Sequence, residues 1–270
     1  MAQSKIKKFQ STVVQFYNTE GRHNLPWRKT KNPYKILVSE IMLQQTQVDR
    51  VIPYYKKFLK VFPTVRSLSN ASLGEVLKVW QGLGYNRRAK MLHNAALSVV
   101  TNHNGKMPKN YKKLVALPGV GDYTAKAVRV FAYNEKEFLI ETNVRSVYIH
   151  HFFQNQEQVS DKEIFILLEK TYPSKVEPRV WYAALMDYGS YLKRTALNPS
   201  RKSKHHIKQK PFKGSNREVR GAIIRALSKG SQTLTELQKL PFTQTTLKDQ
   251  ISVLEKEGLV VYERDFYRLP

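Results

Sequence analysis

The sequence predicts a mainly α protein with a small α+β module toward its C-terminal end, and three observations carry that expectation. Apolar residues recur at helical spacing through nearly every segment before residue 195, with almost no alternating strand pattern. The chain of 270 residues is 41% hydrophobic and 25% charged, which suits one large folded domain or two of ordinary size. After residue 217 the pattern changes to three short helical strings followed by two short β-rich strings.

The elements follow in order. Ile6, Phe9, Val13, Val14, Phe16 and Tyr17 mark the apolar side of a first helix, which 18–24 interrupts. Leu25-Pro26-Trp27-Arg28 and Asn32-Pro33-Tyr34 form an irregular stretch. Helical runs then cover 36–43, 48–62, 73–80 and 88–100, separated by Pro63, Ser69-Asn70 and Gly82-Leu83-Gly84. Pro108 precedes another helix, and further runs fall at 143–153, 161–172 and 180–191, with no internal repeat. Between Lys193 and Lys213 lie Arg194, Arg201, Lys202, Lys204, Lys208 and Lys210 with two prolines and no acid, which reads as a mobile connector or an arm along phosphates. Helices are expected at 217–227, 234–239 and 245–257, the last ended by Gly258. Strands at 259–262 and 266–269 flank Arg264-Asp265 and complete an order that resembles a winged helix, a module that contacts DNA, dimerises or simply packs.

Charge narrows the partners. Lys and Arg number 46 against 21 Asp and Glu, a formal net charge of +25, which calls for a polyanion. Nucleic acid leads. A membrane surface is second, since no apolar run spans a bilayer and no signal-peptide pattern opens the chain. Cysteine is absent, which excludes disulfides, cysteine nucleophiles and thiolate-held zinc or iron–sulfur centres. A cytoplasmic, nucleoid-associated monomer is the expectation.

Two stretches carry candidate chemistry. In Leu117-Pro118-Gly119-Val120-Gly121-Asp122-Tyr123-Thr124, two glycines between helical strings permit φ > 0 and close backbone approach, with the next helix presenting its N–H groups to an anion. That is either a helix-hairpin-helix gripping a DNA backbone or an ordinary turn between helices. In Ser39-Glu40-Ile41-Met42-Leu43-Gln44-Gln45-Thr46-Gln47-Val48, an acid sits on an apolar helix and glutamines, good partners for base edges, crowd its end. Glu40 on its own reads first as a solvated carboxylate. His150 and His151 are adjacent and do not share a helix face, so packing or solvent exposure is expected of them rather than metal binding.

Several uncommon strings fall in one order: Leu25-Pro26-Trp27-Arg28, Asn32-Pro33-Tyr34-Lys35, the Glu40 string, Gly82-Leu83-Gly84-Tyr85, the Gly119 hairpin, Asn143-Val144-Arg145-Ser146-Val147 and Leu185-Met186-Asp187-Tyr188-Gly189. With them, residues 5 to 195 resemble the helix-hairpin-helix DNA glycosylases, most closely the MutY-type adenine glycosylases. The resemblance implies a two-lobed helical domain over 1–195 (one lobe 1–31 with 136–195, the other 32–135), which the basic linker at 196–216 and the winged-helix-like module at 217–270, read from composition and pattern, follow. It implies a monofunctional enzyme that flips an adenine mispaired with guanine or 8-oxoguanine into an interlobe cleft and hydrolyses its N-glycosidic bond. Glu40 would protonate the adenine ring, and Glu141 matches the carboxylate at the sugar. Arg28, Tyr123 and Asn143 would surround the flipped nucleotide. Gln45 and Tyr85 would act as wedges, with Gln44 and Thr46 beside them. Leu117, Gly119, Val120 and Gly121 would hold the DNA backbone, with a monovalent cation on the hairpin carbonyls as a further option, and Lys202 and Lys204 would meet phosphates. Tyr123 stands where lyase relatives carry a Schiff-base lysine.

Three departures qualify the likeness. Glu141 stands where the family has Asp. No cysteines follow the helix at 185–192, so no cluster or other cofactor is expected. The usual C-terminal domain is replaced. Thymine or uracil removal from mismatches with G, and a DNA-binding relative weakened by Glu141, are the alternatives.

Overall fold

The computed structural model describes residues 2–208 and 211–270; Met1, Gln209 and Lys210 of the basic stretch lie outside the described residues. The chain divides into two compact units, Met1–Ile36 with Asp122–Lys208 and Leu37–Gly121 with Gln209–Pro270. Among the described residues no helix is long and apolar enough to cross a membrane.

The first unit is built on α1 (Gln3–Glu20), the start of α2 (Pro33–Leu43), and four later helices: α8 (Asp122–Tyr133), α9 (Thr142–Phe152), α10 (Asp161–Thr171) and α11 (Pro178–Thr195). α11 is central, packing against α1, α8 and α9. Its apolar positions Trp181, Tyr182, Ala184, Leu185 and Leu192 recur at helical spacing and are buried. The Tyr182 hydroxyl donates to the Glu137 carbonyl at 2.8 Å and accepts from the Leu139 amide at 2.9 Å, which satisfies its polar end inside the core. Phe9 from α1 meets Tyr148, His151, Phe152 and Trp181 edge-on or tilted, with centroids 4.9–6.0 Å apart.

Two expectations change here. Residues 122–135, read as part of the second lobe, group with the first unit because α8 packs on α11. Residues 196–208, read as a mobile linker, are docked. Asn198 caps a 3-10 turn at Pro199–Lys202, and Pro199, Ser200 and Ser203 are buried. Val159 donates to the Lys202 carbonyl at 2.8 Å and accepts from the Lys204 amide at 2.9 Å, a short parallel bridge. The density of positive charge concealed three small or ring-shaped residues that fit a core.

The second unit contains the rest of α2, then α3 (Val48–Val61), α4 (Val65–Ser69), α5 (Leu73–Trp80), α6 (Arg87–His103) and α7 (Tyr111–Val115). Capping boxes at Thr64/Ser67 and Ser72/Glu75 start α4 and α5 sharply. Phe58, Leu68, Leu77, Trp80, Leu92 and Val99 fill its core. The same unit includes α12 (Asn216–Leu227), α13 (Leu234–Leu237), α14 (Gln244–Lys256) and the hairpin of β1 (Val261–Glu263) and β2 (Phe266–Arg268). Glu263 pairs with Phe266, so the turn is two residues, and Arg264 and Asp265 both have positive φ (51° and 65°), as a type I′ turn requires. The C-terminal part joins the rest of its unit through backbone. The Gly74 amide donates to the Pro270 carbonyl at 2.6 Å, and a Cβ at Gly74 would lie 2.5 Å from that oxygen. Lys90 Nζ reaches the Glu257 carbonyl at the end of α14.

His151 lies in the aromatic cluster with its Nε2 3.1 Å from the Tyr188 hydroxyl, and burial pushes its pKa down to about 4. An unfolded imidazole titrates near ~6.5. Between those values the unfolded chain holds the proton and the fold does not. This contribution is therefore complete above about pH 6.5 and declines as pH falls toward 4. His151→Phe should flatten the dependence of the thermal midpoint between pH 7 and pH 5. Identical slopes in the two proteins would show that another group titrates.

Candidate active site

α2 is apolar nearly all round, with Tyr34, Ile36, Leu37, Val38, Ile41 and Met42 buried, so it is fixed by packing on several sides. Glu40 is the half-buried exception among those neighbours. The helix stops at Leu43 in a turn where Gln45 has φ 54°. Its open carbonyls are closed by one side chain. Arg88 Nη1 donates to the carbonyls of Ile41, Met42 and Gln44 at 2.8, 2.9 and 2.6 Å. Its Nη2 donates to Thr46 Oγ1 and the Gly84 carbonyl, both at 3.2 Å. The same guanidinium lies over the Trp80 ring at 5.5 Å and the Tyr85 ring at 5.3 Å. Burial lowers its pKa to about 10, and it remains charged at neutral pH. Gln44, Thr46 and Tyr85 are thus brought to one guanidinium, with Gln44 and Gln45 exposed. Gly82 and Gly84 turn the facing loop with φ 99° and 74°, and Tyr85 follows at φ 50°.

In the hairpin, Leu117 and Val120 are buried and the Val120 amide donates to the Leu117 carbonyl at 3.1 Å. Only Gly119 has positive φ (74°), and a Cβ there would meet Met91 Cβ at 2.5 Å. Gly121, expected to share that role, does not; a Cβ on it would meet nothing within 4 Å, so intrachain packing does not demand glycine there. α8 then begins at Asp122, Tyr123 is half-buried, and Lys126 is paired with Asp122 at 2.9 Å.

In the first unit, Glu141 caps α9. Its Oε1 accepts from the amides of Asn143 and Val144 at 2.8 and 3.0 Å, and its Oε2 accepts from Asn143 Nδ2 at 3.0 Å. Three donors on one carboxylate suit the anion at a helix N-terminus. Asn143 Oδ1 is buried without a hydrogen-bond partner among the described residues. Gly189 of α11 lies against this turn, where a Cβ would be 2.2 Å from the Asn143 carbonyl oxygen. Two residues before Gly189, the Asp187 side chain is 1% exposed. It accepts from the Arg22 amide at 2.8 Å, from Arg22 Nε and Nη2 at 2.9 and 2.7 Å, and from Arg28 Nη2 at 3.3 Å. Lys193 is partly buried, which lowers its pKa, with the Glu141 charge opposing that shift.

The structure therefore groups Glu141 with Asn143, and Arg28 with Asp187, in the first unit, while Glu40 falls in the second. Lys202 is committed within the protein, its Nζ 2.8 Å from the Gln154 carbonyl and 3.0 Å from Glu157, and the Lys204 side chain is exposed. The chain has no thiolate to hold the cluster that the resemblance associates with the segment after α11, so the residues present do not fit that group. Arg88 and Asp187 were not singled out from sequence. The available signals were an arginine three residues past a Gly-Leu-Gly-Tyr turn and an acid on the apolar side of a helix.

Asp187→Ala leaves two guanidinium groups without their buried partner and should destabilise the fold by about 3 kcal/mol in urea unfolding, at the lower end for a broken buried pair because Arg22 is partly exposed. Gly189→Ala forces α11 away from α9 and should cost about 1–3 kcal/mol. An unchanged midpoint in either variant would remove that contact from the account.

The HhH-GPD superfamily of base excision DNA repair proteins matches residues 38–174. The adenine DNA glycosylase of Mycolicibacterium smegmatis is 31% identical over 236 residues, 81% of this chain and 80% of that protein. That of Buchnera aphidicola subsp. Baizongia pistaciae is 42% identical over 166 residues, 62% of this chain and 46% of its own length. Against three Buchnera relatives the chain spans 41–47% of their length. Among solved structures, a thermostable thymine-DNA glycosylase superposes with TM-score 0.60 at 30% identity, covering 69% of this chain and 87% of that one. A trapped endonuclease III–DNA covalent intermediate, at 19% identity and TM-score 0.58 over 78% of this chain and 91% of that one, shares the fold. With its glycine hairpin, its arginine-closed α2 and its capped carboxylate, the chain belongs to the HhH-GPD superfamily of base excision DNA repair proteins.

Proposed function

We propose that the chain is a monofunctional DNA glycosylase that excises adenine mispaired with guanine or 8-oxoguanine. The observation that carries this reading is Glu40 on a helix whose end, with the Gln44–Thr46 turn, is fixed by the five hydrogen bonds of Arg88. An acid on a rigid element beside exposed glutamines suits a base that has left the stack and must be protonated before it departs. Relatives named adenine DNA glycosylase, 31–46% identical to this chain, support the same choice of base.

In this reading Glu40 gives a proton to a ring nitrogen of adenine. The N-glycosidic bond breaks with its electron pair going to the base, and positive charge develops on the sugar. Glu141 stabilises that charge, and water adds at the anomeric carbon and releases a proton. Glu141 caps α9 through the Asn143 and Val144 amides, a role that Asp also fills, and so keeps a carboxylate at the start of that helix. Asn143 fixes one Glu141 oxygen, while Arg28 is held by Asp187. Gly119 and Gly121, with Leu117 and Val120 anchoring the loop, receive the phosphate backbone, and the open side of Gly121 suits a close approach. Gln45, Tyr85 and Thr46 occupy the stack and its neighbour. Lys204 is the better phosphate contact of the pair, since Lys202 is already paired. Tyr123 offers no amine for strand cleavage, and Lys126 is held by Asp122. The winged-helix-like module is a further DNA-facing part.

Thymine or uracil removal is the second reading, favoured by the 30% identity to a thymine-DNA glycosylase. Labelled duplexes bearing A·8-oxoguanine, A·G, T·G or U·G, followed by alkaline cleavage of abasic sites, separate the two. Product is expected from the adenine mismatches; product from T·G or U·G alone would overturn the assignment. Glu40→Gln should lower single-turnover excision by at least ~100-fold without changing duplex affinity. Excision at the wild-type rate would take Glu40 out of the chemistry. Glu141→Gln, which retains an oxygen for the α9 cap but loses the charge, should slow excision with little change in thermal midpoint.

A further inference from the structure

Tyr85 has a backbone conformation that a bulky residue rarely adopts. Its φ of 50° lies in the left-handed region, which persists at such a residue only where neighbours fix it. One set of constraints comes from α6. The Tyr85 carbonyl accepts from the Arg88 amide at 2.8 Å, and the Arg88 guanidinium lies over the ring. The other set comes from the C-terminal part of the same unit. Arg217 Nη1 donates to the Tyr85 hydroxyl at 2.6 Å, and its guanidinium lies 5.4 Å from the ring centre. Its Nη2 donates to the Pro211 carbonyl at 3.2 Å.

Arg217 is itself held in place. It belongs to α12, which packs on α14. Three residues on, and so on the same side of the helix, Arg220 pairs with the Glu257 carboxylate. The Glu257 carbonyl in turn takes Lys90 of α6. α12 is therefore tied at adjacent points to the segment that runs from the glycine loop into α6. The half-buried Tyr85 ring cannot turn without breaking a charge-assisted hydrogen bond. A side chain that is loose in the free protein loses its rotamer freedom at binding, and that loss is subtracted from affinity. Here the loss has been taken before any ligand arrives.

We propose that Arg217 is a positioning residue for Tyr85: the C-terminal module sets the ring in advance, and its effect on duplex binding passes through that ring. The inference rests on the reading of Tyr85 as a residue that enters the base stack. In this role Arg217 needs no phosphate of its own, which separates it from basic residues that neutralise the DNA backbone.

The test is the affinity of the full chain for a labelled A·8-oxoguanine duplex, followed by fluorescence anisotropy across a salt series. A 2′-fluorine on the adenosine sugar disfavours positive charge there and keeps the duplex intact. Tyr85→Ala should weaken binding about tenfold, as loss of one stacked aromatic does. Arg217→Ala should weaken it about fivefold, the cost of ordering one side chain at binding. The double variant should bind no more weakly than Tyr85→Ala, and Arg217→Ala should keep the wild-type salt slope. Arg217→Lys retains the charge and much of the packing of α12 but not the flat face, and should recover little of the affinity. Losses that add in the double variant, a salt slope reduced by about one, or full recovery with lysine would overturn the positioning role and mark a phosphate contact instead. Tighter binding by Arg217→Ala would also overturn it, since Arg217 would then hold Tyr85 away from DNA. Wild-type affinity in Tyr85→Ala would sink the stack reading and the proposal together, whereas additive losses leave the stack reading intact. The expected pattern on a T·G duplex but not on A·8-oxoguanine would sink adenine excision and leave the positioning role standing.

Discussion

One guanidinium holds the end of α2 in place. Helices leave their last carbonyls unsatisfied, and at a surface water usually meets them. Here Arg88 reaches from α6 and takes three carbonyls from the end of α2 and the turn after it, one from the glycine loop, and a threonine hydroxyl. Its flat faces meet Trp80 and Tyr85. A lysine offers a point charge and could not satisfy so many acceptors in fixed directions. This side chain ties the end of α2, the turn that contains Gln45 and the glycine loop before Tyr85 to one another.

The first unit uses the same device with the sign reversed. Asp187 is a buried anion that gathers the Arg22 backbone and side chain and the Arg28 guanidinium. Two residues further along α11, Gly189 lets the helix press against the Asn143 backbone. Charge and close approach therefore act two residues apart on one helix, and the close approach falls on Asn143, whose amide donates to Glu141.

Much of this was legible in the chain. Periodicity located the helices because each buries a stripe, and the three-helix-plus-hairpin order near the end followed from the same patterns. Glu40, the glutamines and the hairpin were legible as strings. Arg88 was not, because in Arg87-Arg88 nothing marks which residue turns inward. The docked segment after α11 was misread because counting charges does not reveal that Pro199, Ser200 and Ser203 are the residues that meet the core. Gly121 looked equivalent to Gly119 until backbone angles separated a glycine required by conformation from one that is not. The Glu141 cap was not legible because Glu is outside the usual N-cap set of Ser, Thr, Asp and Asn.

The bridge between Val159 and the 202–204 backbone has a consequence for supply. This corner is closed by amide hydrogen bonds, an asparagine cap and a lysine contact, all of which form from the polypeptide alone. Assembly of the segment therefore requires no iron, no sulfide donor and no loading machinery. The corner also contains no sulfur for peroxide or nitric oxide to attack. Under oxidant stress or iron starvation, this part of the fold would keep its shape.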